Sequence, residues 1–178
     1  MNLLNELPVG NAFKSSNEIS FRCKGDIAPN FIPIMQIKQY FLINKELKIY
    51  PICMVKDFVS GLSYGELTEI KNIPTGTICW TGNSFGLTQY LLITDTVKDN
   101  IMMVAALGET KLMNATSRMV DLGPVSDYAG PNISYDILKI CPNCSNLSFK
   151  AEPDKNTDGI LEISGKCYNC GCNIKITW

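Results

Sequence analysis

Four cysteines in two close pairs, Cys141-Pro-Asn-Cys144 and Cys167-Tyr-Asn-Cys170, constrain this chain more than any other feature. A two-residue spacer in a tight turn points both sulfurs at one centre, and two such turns supply the four soft ligands that a tetrahedral ion needs. The 22 residues between the pairs match a four-thiolate zinc signature. Pro142 suits the first turn, and Gly171 can take the positive φ that follows the second pair; Ser145 stands where a second glycine would be expected. Cys172 adds a third nearby thiol and is an alternative ligand to Cys170, although the two-residue spacing fits the turn better. A disulfide pair or unrelated free thiols are the competing readings, and thiol pairs this close beside a fifth cysteine suit disulfides poorly.

Between the pairs, Leu147 to Lys150 and Ile160 to Ser164 read as strands separated by the turn-rich PDKNTDG, and Asn173 to Trp178 alternates apolar and polar residues. Three short strands hung on two cysteine turns resemble a zinc ribbon over roughly the last forty residues. The resemblance implies ligation by Cys141, Cys144, Cys167 and Cys170 and says almost nothing about function. A module this short buries too little apolar surface to hold itself together, so its zinc is expected to be structural. Four thiolates leave no open coordination position.

The chain has 178 residues, 46% of them hydrophobic and 19% charged, enough to bury a real core. No uninterrupted apolar run approaches the roughly 18 residues of a membrane helix, and the start, MNLLNELPVGNAF, lacks a basic leader. A soluble, cytoplasmic protein with no membrane partner is expected. The Asn-x-Ser/Thr triplets at Asn114, Asn132, Asn143 and Asn146 are read as chance occurrences. Formal charge is −1, with only Arg22 and Arg118 as arginines, and four thiolates around a divalent ion would make the ribbon acidic as well. That balance disfavours nucleic acid, whose phosphates call for clustered Lys and Arg.

Taken in order, Leu3 to Leu7 suggests a short helical turn, GNAFKSSN a loop, and Glu18 to Cys23 a strand. Ile37 to Ile43 and Leu47 to Val55 are β-rich runs whose three-residue spacing suggests a hairpin, with Pro51 marking an edge or a bulge. Phe58 to Gly65 reads as a turn region, and Glu66 to Ile70 as helix or strand. Thr77 to Thr81, Leu87 to Thr94 and Ile101 to Leu107 form the strongest β block; short connections make them sheet neighbours, and their continuous apolar runs predict burial on both faces. Helix is the runner-up for Ile101 to Leu112, and Gly108 is expected to end whichever element forms. GPVSDYAGPN marks a linker, so the main domain proper ends near residue 122. The predicted fold is α+β and β-rich: a predominantly antiparallel domain over residues 1–132, then a three-stranded zinc ribbon over 133–178.

Other chemistry is thin. Gly82-Asn-Ser-Phe-Gly86 fits the G-x-S-x-G elbow, but the chain has no histidine to take the Ser84 proton, and LTQYLLIT after it reads as strand instead of helix. Cys23, Cys53 and Cys79 lie among apolar residues and read as core; only Arg22 and Lys24 offer Cys23 any positive field. Glu66 with Glu69, and Asp95 with Asp99, are acid pairs better explained as solvated turns. Phe149, Tyr168 and Trp178 with Lys150, Lys166 and Lys175 would suit single-stranded nucleic acid only if the aromatics are exposed. The resulting expectation is a non-catalytic intracellular protein whose partner is another protein, as in an adaptor, inhibitor or toxin-neutralising role. A nucleic-acid-binding or transcription-associated ribbon protein is the alternative.

Overall fold

The computed structural model describes all residues except 26–28, 60, 83–88, 99–100, 128–134, 139–140, 146–148, 154–161, 168 and 178. Among these described residues fourteen strands carry the fold: β1 Asn2–Leu3, β2 Asn11–Ser15, β3 Glu18–Arg22, β4 Phe31–Asn44, β5 Lys48–Met54, β6 Thr68–Glu69, β7 Thr77–Trp80, β8 Tyr90–Lys98, β9 Ile101–Asn114, β10 Arg118–Pro124, β11 Tyr135–Leu138, β12 Phe149–Pro153, β13 Glu162–Cys167 and β14 Asn173–Thr177. Among the described residues the only helical elements are four 3-10 turns, at Leu4–Glu6, Val55–Asp57, Ile70–Asn72 and Val125–Asp127. The helical part of the predicted α+β class therefore shrinks to single turns, of which Leu4–Glu6 was anticipated. No helix among the described residues is long and apolar enough to cross a membrane.

β4 and β9 pair antiparallel along nearly their whole lengths, from Phe31 against Asn114 to Asn44 against Ile101. Around them the strand order is β1-β10-β2-β3-β4-β9-β8-β7-β5-β6, with every neighbouring pair antiparallel. The expected β7-β8-β9 succession is present, and its apolar runs do divide between two faces. Cys79, Leu91, Ile93, Met102, Val104 and Ala106 fill one cluster, whereas Ile78, Leu92, Met103, Ala105 and Leu107 fill another. Period-two alternation sends successive apolar side chains to opposite sides, which no helix over Ile101 to Leu112 would do.

Four expectations are corrected. The first is the hairpin: β4 and β5 are joined by a tight turn, with Leu47 N–H donating to the Asn44 carbonyl at 3.1 Å, yet they do not pair. β9 takes one edge of β4; on the other, β3 takes the N-terminal half and β11 the C-terminal half. β5 pairs with β7 instead, four strand steps away. In a flat sheet those steps would separate β4 from β5 by about 19 Å. A three-residue connection spans at most about 14 Å. The sheet therefore curls, enclosing Phe41, Ile43, Ile49, Ile70 and Ile73 with the inner residues of β7, β8 and β9.

The second concerns Gly108, which does not end β9. It lies where the β4–β9 ribbon loses register, between Met35 and Ile37 and again between Ile37 and Gln39. A Cβ there would sit 3.1 Å from Lys38 Cε, so the glycine admits a close approach without breaking the strand. The third is the loop expected at GNAFKSSN, which forms β2 and a two-residue turn; Ser16 takes φ 54°, Ser15 pairs with Glu18, and Ala12 and Phe13 are buried. Core burial overrides the polar composition. The fourth is the linker read over GPVSDYAGPN, whose first residues are built into the fold, since Pro124 still pairs with Asn11 and Val125 is core. Pro51 behaves as expected, at a register shift between Pro51 and Cys53.

At the C-terminal side, β11 runs parallel to β4, Tyr135 opposite Tyr40 through Leu138 opposite Ile43, and antiparallel to β12. β12, β13 and β14 follow in antiparallel order. The strands that flank the cysteine turns are thus hydrogen-bonded through β11 to the main sheet.

Candidate metal centre

Each cysteine pair sits in the same kind of turn. Ser145 N–H donates to the Cys141 carbonyl and Gly171 N–H to the Cys167 carbonyl, both at 2.9 Å. The donor residues occupy equivalent positions and share a left-handed backbone, Ser145 at φ 61° and Gly171 at φ 72°. Serine accepts a conformation that costs a non-glycine residue roughly 1 kcal/mol, because the turn it closes places two sulfurs. β13 delivers Cys167, and a 2.9 Å bond from its N–H to the Cys172 carbonyl folds the chain back on itself.

The turns bring Cys141, Cys144, Cys167 and Cys170 together with all four Sγ atoms within 4.8 Å of one another. The first cysteine of each turn lies against the second of the other: Cys141 to Cys170 is 3.7 Å and Cys144 to Cys167 is 3.6 Å. A disulfide would need about 2.05 Å. Sulfurs each 2.3 Å from a tetrahedral zinc are about 3.8 Å apart, so the spacing found here fits a shared metal ion. None of the eight cysteines is in a disulfide.

Cys141 and Cys167 are buried, whereas Cys144 is half-buried and Cys170 exposed. The two inner sulfurs belong to the same apolar cluster as Phe21, Met35 and Tyr40, which makes the metal turns continuous with the main core. Desolvation pushes the Cys141 thiol up to about 12. Cys170 is held near about 6, chiefly by the Asn143 side-chain amide, whose Nδ2 lies 3.5 Å from its sulfur, and next by the Cys172 backbone N–H. Asn143 is the contributor that sequence reading missed. It lies inside the first pair and reaches across to the second, where its N–H···S bond fixes the Cys170 sulfur beside the other three. Cys172 stands outside the four-sulfur group, its Sγ 3.8 Å from the Asn173 carbonyl.

Among the described residues the other candidates do not assemble into sites. Residues 83–88, including Ser84 of the G-x-S-x-G match, lie outside the described residues, as do Asp99, Tyr168 and Trp178. Arg22 turns away from Cys23 to donate to the carbonyls of Leu4, Asn5 and Leu7, and Lys24 meets Asp57 at 3.7 Å. Burial pushes both Cys23 and Cys79 up to about 12, the opposite of an activated nucleophile. Cys53, half-buried, is also raised. Glu69 pairs with Lys71 at 2.8 Å, a solvated contact and no acid dyad with Glu66. Comparisons with protein-family models, with curated proteins and with solved structures find no match to this chain.

Proposed function

We propose that this is a non-catalytic binding protein whose C-terminal residues, 133–178, form a zinc ribbon following a β-rich domain over residues 1–132, and whose target is another protein. The observation that carries the reading is the four-sulfur group, Cys141, Cys144, Cys167 and Cys170, gathered within 4.8 Å with two cross-turn pairs at 3.7 and 3.6 Å. Four thiolates complete the shell of a Zn²⁺ ion and leave no position for water or substrate, so the ion holds shape and takes no part in chemistry. The absence of histidine from the chain and the inert, buried Cys23 and Cys79 support a role without catalysis. Eight thiols outside any disulfide suit a reducing compartment, and the cytoplasm is the proposed location. A formal charge of −1 with two arginines favours a protein target over a nucleic acid.

The test is elemental analysis of the purified chain together with partner capture by the intact protein and by Cys141→Ser/Cys144→Ser. One zinc per chain and a protein partner identified with the intact form support the proposal. A chain without zinc removes the clasp, and retention of RNA or DNA without a protein overturns the choice of target.

A further inference from the structure

A second candidate lies on the main sheet, with none of the four cysteines among its described lining residues. Trp80 and Tyr90 are cross-strand partners on β7 and β8, with ring centroids 4.9 Å apart and planes tilted by 55°. Beside them opens a cleft of about 550 Å³, floored by Leu107 and Gly108 and bounded by Lys38, Gln89, Glu109 and Thr110. That volume falls within the range of about 300–1,000 Å³ typical of ligand clefts.

The cleft sits where β4 and β9 lose register, and the two residues that bring charge to it, Lys38 and Glu109, come from the irregular stretch. Such bulges re-aim side chains out of the alternating pattern. Gly108 lets the Lys38 stem lie across the cleft floor. Among the described residues, the side-chain polar groups of Lys38, Trp80, Gln89, Tyr90, Glu109 and Thr110 have no hydrogen-bond or ion-pair partner. They face the cleft with their donors and acceptors open.

We propose that this cleft binds a neutral saccharide ring, stacked on the Trp80–Tyr90 pair and hydrogen-bonded by Gln89, Thr110, Glu109 and Lys38. The touching rings leave no slot between them, so a ligand lies on an outer ring face, whose negative quadrupole suits the C–H face of a sugar. One cation and one anion cancel across the cleft. A phosphate-bearing ligand would meet Glu109 and need more cations; a quaternary ammonium would meet Lys38. A ring with hydroxyls on its edge uses both charged groups and both neutral ones. Glu109 is the only carboxylate among the described lining residues, whereas glycoside hydrolysis takes two facing carboxyl groups, so the saccharide is bound and not cleaved.

The test uses the full metal-loaded chain. It has two tryptophans, so a Trp178→Phe background leaves Trp80 as the sole indole reporter. Its emission is titrated with neutral trisaccharides of glucose, mannose, galactose and N-acetylglucosamine, and with AMP as the charged aromatic control. Saturable change with at least one trisaccharide, weakened about tenfold by Gln89→Ala and by Glu109→Ala, is the expected result. Both variants alter cleft side chains outside the buried core, and far-UV circular dichroism checks that they keep the fold. The proposal is overturned if AMP titrates while every sugar is inert, if no probe changes the emission up to about 10 mM, or if binding persists unchanged in both variants.

Discussion

The centre of the sheet and the cysteine turns hold their shape by different means. Across β7, β8 and β9, apolar side chains alternate between two filled clusters, and Ile78, Cys79, Leu91, Leu92, Ile93, Val104 and Ala105 are wholly out of contact with solvent. At roughly 25 cal/mol per Å² of apolar surface removed from water, such a region is stabilised by burial alone. In the turns, Pro142, Asn143, Ser145, Asn169, Cys170 and Gly171 are exposed, and the buried anchors are two sulfur-bearing residues, Cys141 and Cys167. Where apolar side chains run out, the four sulfurs group closely enough for a shared metal ion to take their place. The two regions nevertheless meet, because the inner cysteines join the same cluster as the main core and β11 lies along β4.

Removing the metal breaks the comparison most completely. Chelation at neutral pH should cost the C-terminal strands stabilisation on the order of 10 kcal/mol. Hydrogen exchange is expected to open β12, β13 and β14 while β7, β8 and β9 keep their protection; loss of protection in all six strands together would make the whole sheet dependent on the ion. The converse perturbation is Leu92→Ala, which deletes a fully buried side chain between β7 and β9. It should lower the urea midpoint by the equivalent of about 2–5 kcal/mol without changing metal stoichiometry.

Alkaline pH sharpens the contrast through the main core. Cys23 and Cys79 have pKa values raised from 9.0 to about 12 by burial, so the folded state favours the neutral thiol. The stability this gives is fully present below pH 9 and is lost as pH rises from there towards 12, by about 1.4 kcal/mol per pH unit for each thiol. Unfolding free energies at pH 8 and pH 10 measure it, and equal values would mean that these thiols are not desolvated. Asn143→Ala is the smallest change: losing its contact with Cys170 should weaken metal retention about tenfold in competition with a chelator, leaving Leu92 and its neighbours protected.

Much of this was legible in the residues themselves. The positions of β3, β5 and β7, the core of β8, the second half of β4 and the first half of β9 follow from apolar runs read a few residues at a time, and the meeting of four sulfurs follows from two spacers within two turns. Asn143 was not legible, because its partner lies 27 residues away and only the folded turns bring it there. Nor was β2, whose polar letters hide two core residues.

Local spacing and alternation depend on near neighbours, which is why sequence alone determined the β character, the two-faced burial of the central strands and the grouping of the cysteines. Only the tertiary structure decided that β5 leaves β4 for β7, that Gly108 passes through a strand instead of ending it, and that Trp80, Tyr90, Lys38 and Glu109 share one cleft. Those outcomes depend on which strand edges are already occupied, and edge occupancy is a property of the whole sheet.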